Sequence, residues 1–299
     1  MAPRPASPTT PQRALTAAAR GVTSSTRGPV VMLHGLLESP ALWAPLRQAL
    51  ELDTVLAPPL PGHRADAPRL PAAAPLLAEP AALARHMADG IEARAGGRPV
   101  QLIGHSLGGY LALMIARERP DLVSRALVVG AIHAGDCGKR ATLRTRVVTG
   151  LPLVGPLSAR VLIRHWLADA DRFAAWMTAS LAPGERLQAV PAAMRRELSG
   201  GDATTIRALA VWARSQSALQ SFGRIHTPVT VVICARDPVV TVEHQLELAR
   251  ALPGGVAHLT DTGHLPMLTT PRRLARTVGA WLDADTAGAG SAPLEAVPA

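Results

Sequence analysis

The chain has 299 residues, 48% of them hydrophobic, which is enough to bury one large core without disulfides or metal clips. No apolar run reaches the roughly 18 to 20 residues of a membrane-spanning helix, and residues 1 to 26, rich in Pro, Ala, Ser and Thr, lack the continuous apolar stretch of a secretory signal, so a cytoplasmic protein is expected. The net charge of +9 admits an acidic partner, but its arginines are dispersed and aromatics are only 3% of the chain, so nucleic-acid binding is not expected. Two cysteines without CxxC spacing, Cys137 and Cys234, suggest no disulfide framework, and neither a metal nor a cofactor is expected.

The first segment, residues 1 to 28, precedes the strongest pattern. Within it residues 12 to 28 could supply one or two antiparallel edge strands, although Arg, Ala, Thr and Ser form strands poorly. From Pro29 onward short apolar runs alternate with helical stretches, the signal for parallel strands joined by helices. The runs are Val30 to Leu33, Thr54 to Leu56, Val100 to Ile103, Ala126 to Val129, Val229 to Ile233 and Val256 to Leu259. Uninterrupted runs such as Val30-Val31-Met32-Leu33 fit strands covered on both faces, so an α/β fold with a mostly parallel, doubly wound sheet is expected over residues 29 to 134 and 225 to 283.

Residues 135 to 224 carry helix-like patterns and no strand pattern, and are read as a helical lid inserted into that core. Trp166, Phe173, Trp176, Met177, Met194 and Trp212 fall inside it. Most of these should pack the insertion and its seat, while Trp166, Trp176 and Met177, with His133 from the core, are candidates to line a substrate pocket. Residues 284 to 299, rich in Ala, Gly, Pro and Ser, have little to bury and are expected to be a disordered tail.

The chemistry is concentrated in Gly104-His105-Ser106-Leu107-Gly108-Gly109, set between an apolar run and the helical stretch Tyr110 to Ala116. A serine raised on a sharp strand-to-helix turn needs small neighbours two residues either side, because the backbone there is crowded. It then sits at a helix N-terminus, whose N–H groups favour the negative charge that develops in acyl transfer. Leu107 N–H is one expected oxyanion donor. The second should come from the loop Leu33-His34-Gly35-Leu36-Leu37-Glu38-Ser39, with Leu36 preferred to Leu37; His34 is read as a structural hydrogen-bonding residue.

A general base must lie on a loop at the same sheet edge as Ser106. Of ten histidines, His264 in Asp261-Thr262-Gly263-His264-Leu265-Pro266 fits best, following the last strand with a glycine before it. His105 adjoins Ser106 but should point away from it. The acid that orients His264 should follow the penultimate strand, where Asp237 stands; Asp136 is the reserve.

These features resemble the α/β-hydrolase superfamily from about Pro29 to Asp283. The residues that carry the resemblance are Leu33-His34-Gly35-Leu36 followed by Trp43, Pro59-Leu60-Pro61-Gly62-His63-Arg64, Gly104 to Gly109, Ala235-Arg236-Asp237 and Gly263-His264. It is similar above all to the small lidded carboxylesterases, among them the carboxylesterase of pimeloyl-carrier methyl ester and the ring-cleavage carbon–carbon hydrolases. Haloalkane dehalogenases and epoxide hydrolases use Asp where this chain has Ser106. Two departures are Arg64 in place of a common Gly, and no Glu in Leu265 to Pro271.

The resemblance implies a serine hydrolase acting on a small-molecule ester or related acyl bond through an acyl-serine. The same acyl-enzyme would also serve an acyltransferase or a thioesterase, with an acidic acyl-carrier protein or a CoA thioester as partner; a non-catalytic ligand-binding protein of the same fold is the remaining alternative.

Overall fold

The computed structural model describes residues 28–70, 74–139, 143–151, 154–188 and 190–284. The expected edge strands within residues 12 to 28 and the tail from 284 fall outside it, apart from Gly28 and Ala284. Strands β1 (Val30–Leu33), β2 (Val100–His105), β3 (Val123–Val129), β4 (Val229–Cys234) and β5 (Val256–Thr260) form one parallel sheet in chain order.

The run Thr54 to Leu56 departs from expectation. It contributes a single parallel bridge between Leu56 and Val31, with Met32 N–H donating to Leu56 O at 2.8 Å and Leu56 N–H to Val30 O at 2.9 Å. Pro58 and Pro59 follow at once, and residues without an N–H cannot extend a ladder. The bridge lies on the side of β1 away from β2, so the winding reverses between β1 and β2. The carboxyl ends of strands at such a reversal are where ligands sit in open α/β sheets.

Helices α1 (Ala44–Ala49), α2 (Ala82–Ala95) and α3 (Leu107–Glu118) lie in the first half of the core. The insertion carries α4 (Leu143–Gly150), α5 (Val154–Leu167), α6 (Ala170–Thr178), α7 (Ala192–Ser199) and α8 (Ala203–Ser215); α9 (Leu219–Phe222), α10 (Val242–Ala251), α11 (Pro266–Thr269) and α12 (Pro271–Asp283) complete the chain. Successive strand residues face opposite sides. Val31, Leu102, Val128 and Val231 join α2, α3 and α10 in one buried cluster, while Met32, Ile103, Val129 and Val232 join α1 and α12 in the other. Only β5, at the edge, is not covered on both faces: His258 and Leu259 are exposed.

An antiparallel bridge between Ala134 and Ser217 closes the base of the insertion, with Gly135 N–H donating to Gln216 O and Ala218 N–H to His133 O. The chain therefore re-enters the core at Ser217, earlier than residue 225. Phe222, fully buried against Tyr110 with ring centroids 5.7 Å apart, anchors that return. Among the described residues no helix is long and apolar enough to cross a membrane.

Candidate active site

Ser106 follows β2 directly and caps α3 with φ 52° and ψ −118°, a positive-φ backbone that ordinary residues rarely adopt. The turn is possible because its neighbours are glycine. A Cβ on Gly104 would lie 2.5 Å from Gly108 O, and one on Gly108 2.3 Å from both Leu33 O and His34 O. The close approach brings α3's first turn against the end of β1, so the loop after β1 faces Ser106: a Cβ on Gly35 would be 3.0 Å from Ser106 Cβ.

Two amides of that loop are already engaged. Gly35 N–H donates to Glu38 Oε2 at 2.5 Å, and Leu37 N–H to His63 Nε2 at 3.0 Å. Leu36 N–H bonds to none of the described residues, and Leu36 lines the same cavity as Ser106 and Leu107. Leu107 opens α3, where first-turn N–H groups have no intrahelical acceptor.

His34 and His63 brace this loop as neutral imidazoles. His34 Nε2 accepts from Leu60 N–H at 3.0 Å and its Nδ1 faces Gly35 O at 2.8 Å; His63 Nδ1 faces Pro61 O at 2.8 Å while its Nε2 holds Leu37. Burial, helped for His34 by the neighbouring His63, pushes His34 down to about 3; burial also lowers His63 to about 4. The structural role read for His34 thus extends to His63, which local pattern did not single out.

His264 and Asp237 meet at the far end of the same sheet edge, Nδ1 to Oδ2 at 2.6 Å. Asp237 Oδ1 also accepts from the Val239 and Val240 amides at 2.7 and 2.9 Å. Burial disfavours the Asp237 carboxylate, but His264 and those two amides outweigh it and hold the carboxyl below its ordinary value. Gly130, just after β3 with φ 53°, leaves room for the pair, since a Cβ there would lie 3.3 Å from both Asp237 Oδ2 and His264 Nδ1. Asp136 instead accepts from Gly138 N–H at 3.1 Å in its own turn.

A second buried pair lies beneath the serine. His105 points away from Ser106, as chain geometry requires; its Nδ1 lies 2.9 Å from Glu38 Oε2 and its Nε2 2.8 Å from His264 O. Both ring nitrogens face oxygen acceptors, so both carry protons and His105 is an imidazolium. Burial opposes this charge, yet Glu38 more than compensates and His105 titrates above its ordinary value; Glu38, also opposed by burial, is held below its own by His105. One side chain thereby ties the loop after β1 to the loop that carries His264. A link spanning 67 residues leaves no local signal in the sequence.

Ser106, His264, Leu36 and Leu107 line one cavity of about 290 Å³ together with Trp176 and Met177 from the insertion. Trp166 does not reach it: the residue stacks behind Trp176, ring centroids 5.3 Å apart. His133 also lies outside, in a neighbouring cleft, because its ring stacks on His244 at 3.5 Å and its backbone N–H donates to His244 Nε2. His133 Nε2 is 3.2 Å from Glu247 Oε2 but out of hydrogen-bonding alignment. Since His244 Nε2 accepts, its Nδ1 bears the proton, and the two parallel rings do not converge as ligands on one metal.

The insertion also holds the Gly263–His264 loop directly. Ser180 O accepts from His264 N–H at 3.1 Å, and Glu185 Oε1 from Gly263 N–H at 2.9 Å. Glu185 is a contribution that sequence reasoning missed.

Comparison with known proteins agrees with this architecture. A model of the alpha/beta hydrolase family matches residues 30–277. An uncharacterized protein of Mycobacterium tuberculosis is 26% identical over 269 residues, 86% of this chain and 76% of that one. The (E)-2-((N-methylformamido)methylene)succinate hydrolase of Acinetobacter baylyi is 24% identical over 190 residues, 62% of this chain and 65% of that one. Among solved structures, an esterase from Exiguobacterium antarcticum superposes with a TM-score of 0.65 at 15% identity, covering 86% of this chain and 92% of that one. By its fold and by the family match over most of its length, the chain belongs to the alpha/beta hydrolase family.

Proposed function

We propose that the protein is a serine hydrolase that cleaves a carboxylic ester or related acyl bond through an acyl-Ser106 intermediate. The observation that carries this reading is the Asp237–His264 hydrogen bond at 2.6 Å, in a cavity wall shared by His264 and the strained Ser106. Asp237 engages Nδ1–H, which leaves Nε2 of His264 as the free base. In the first half-reaction Nε2 takes the Ser106 proton as Oγ bonds to the substrate carbonyl carbon. The resulting oxyanion sits against Leu36 and Leu107 N–H. His264 then returns the proton to the departing alcohol oxygen as the acyl bond breaks. Water repeats the sequence in reverse roles, and Ser106 is regenerated with release of the acid.

The test is hydrolysis of a short p-nitrophenyl ester by the purified protein and by Ser106→Ala. The variant should lose at least about a thousandfold in kcat/KM. Equal rates in the two proteins would overturn the reading.

A further inference from the structure

Arg214, in the last turn of α8, stands where three concavities meet. It borders the Ser106 cavity, an open groove of about 720 Å³ between α4 and α8, and the cleft of about 900 Å³ that contains His133. Its side chain is exposed, and it pairs with no carboxylate among the described residues.

Charge in the Ser106 cavity is otherwise balanced. Glu38 is the one carboxylate in its wall, and that charge is met by His105 and the Gly35 amide. Among the described residues of the wall Arg214 is the one permanent cation, and it forms no ion pair with a described carboxylate. Beyond it the α4–α8 groove is walled by Leu143, Val147, Leu151 and Val211 with Arg146 and Arg214, and by no acid among the described residues. The same bias runs through the sequence: Lys139, Arg140, Arg144, Arg146, Arg160 and Arg164 occur between Cys137 and Ala168 without a single Asp or Glu. Leu143 is 77% and Leu151 44% exposed, so the groove presents unpacked aliphatic surface beside two guanidiniums.

The His133 cleft also carries Asp136, Glu243 and Glu247 and does not favour an anion, whereas the Ser106 cavity and the α4–α8 groove together match an elongated molecule with apolar length and one negative charge. We propose that Arg214 binds the anionic group, a carboxylate or a phosphate, of an elongated acyl substrate whose reactive end enters the Ser106 cavity and whose apolar remainder follows the α4–α8 groove. The placement of the reactive end rests on the reading of Ser106 as nucleophile; the anion subsite does not. Guanidinium recognition of carboxylate or phosphate is charge-assisted and directional, and favours an ionised ligand over its neutral isostere. A cation at this place also complements the carbonyl end of α8, so helix stability alone cannot report on the role.

Two measurements separate the subsite from the chemistry. In the first, the p-nitrophenyl monoester of suberic acid is compared with its neutral methyl ester. The wild type should prefer the ionised ester by about tenfold in kcat/KM, chiefly through KM. That ratio should fall to about one in Arg214→Gln, invert in Arg214→Glu and largely survive in Arg214→Lys. In the second, Ser106→Ala is titrated calorimetrically with monomethyl suberate, dimethyl suberate and octyl phosphate. At least one anion should bind more tightly than the neutral diester, and adding Arg214→Gln should remove the difference. The phosphate and carboxylate arms tell which anion is favoured.

If the wild type hydrolyses neither ester, the reading of Ser106 fails while the titration still decides the subsite. If both anions bind no better than the diester, or Arg214→Gln keeps the preference, the subsite is refuted.

Discussion

The two halves of the inserted segment behave differently. The half from α6 to α8 is built into the core: Phe173, Met177, Met194, Leu198 and Trp212 are buried in the two clusters that flank the sheet. It is also stitched by hydrogen bonds, Asp202 N–H to Gly62 O, Gly263 N–H to Glu185 and His264 N–H to Ser180 O. Among the described residues the half formed by α4 and α5 buries only Gly155, Ala159 and Ile163 of α5 and leaves Leu143, Val154, Leu157 and Val161 exposed. The difference teaches that an insertion over a site need not act as one lid. One half positions the proposed base, and the other presents a basic, aliphatic surface to whatever approaches.

Removing the chemistry marks the largest effect against which both halves are measured. Asp237→Asn should lower kcat/KM for a p-nitrophenyl ester by about a thousandfold or more, comparable with Ser106→Ala, because the imidazole loses its orienting carboxylate. A loss below about tenfold would remove Asp237 from that role.

The pair beneath the serine reaches the same loop that the seated half holds, through His105 Nε2 to His264 O at 2.8 Å. Glu38→Gln leaves the buried His105 imidazolium without its counter-charge, and breaking such a pair costs about 3 to 5 kcal/mol. Urea unfolding should show a loss of that order, and a loss under about 1 kcal/mol would mean the pair is not ionised.

Acid should act in the same direction. His34 is lowered to about 3, and His63 and His244 to about 4, from an ordinary 6.5, burial being the leading cause at each. The unfolded chain therefore takes up protons first as pH falls. The stability these groups contribute is complete above about 6.5 and is lost progressively toward their folded values. The melting temperature should fall steadily from pH 7 to pH 4.5, and a flat profile would contradict the neutral state assigned to all three.

Smaller effects distinguish the two halves themselves. Glu185→Ala in the seated half should reduce kcat about tenfold with little change in KM, since Gly263 loses its acceptor and the His264 loop loosens. Leu157→Ser on the exposed half should leave kcat for a short ester unchanged and alter stability by less than about 0.5 kcal/mol in urea unfolding. If these outcomes were exchanged, the comparison would be the wrong way round.

What could be read in the sequence was local. The turn at Ser106 is written in Gly104, Gly108 and Gly109, because backbone crowding excludes any Cβ there. The order of Ser106, Asp237 and His264 follows from successive strand ends, and an alternating strand–helix pattern gives the parallel sheet. Thr54 to Leu56 misled because its apolar residues were weighed without the prolines that stop its ladder.

Tertiary structure alone decided which groups far apart in the chain share one another's charges and protons. Only folding joins Glu38 through His105 to His264, brings Glu185 to Gly263 across 78 residues, and engages the Gly35 and Leu37 amides while leaving that of Leu36 uncommitted. It also turned His133 away from the cavity by stacking it on His244, 111 residues on. The physical reason is that strand, turn and helix preferences depend on neighbouring residues. The pairing of buried polar groups depends instead on desolvation, which forces each to find whichever partner the closed fold brings within reach.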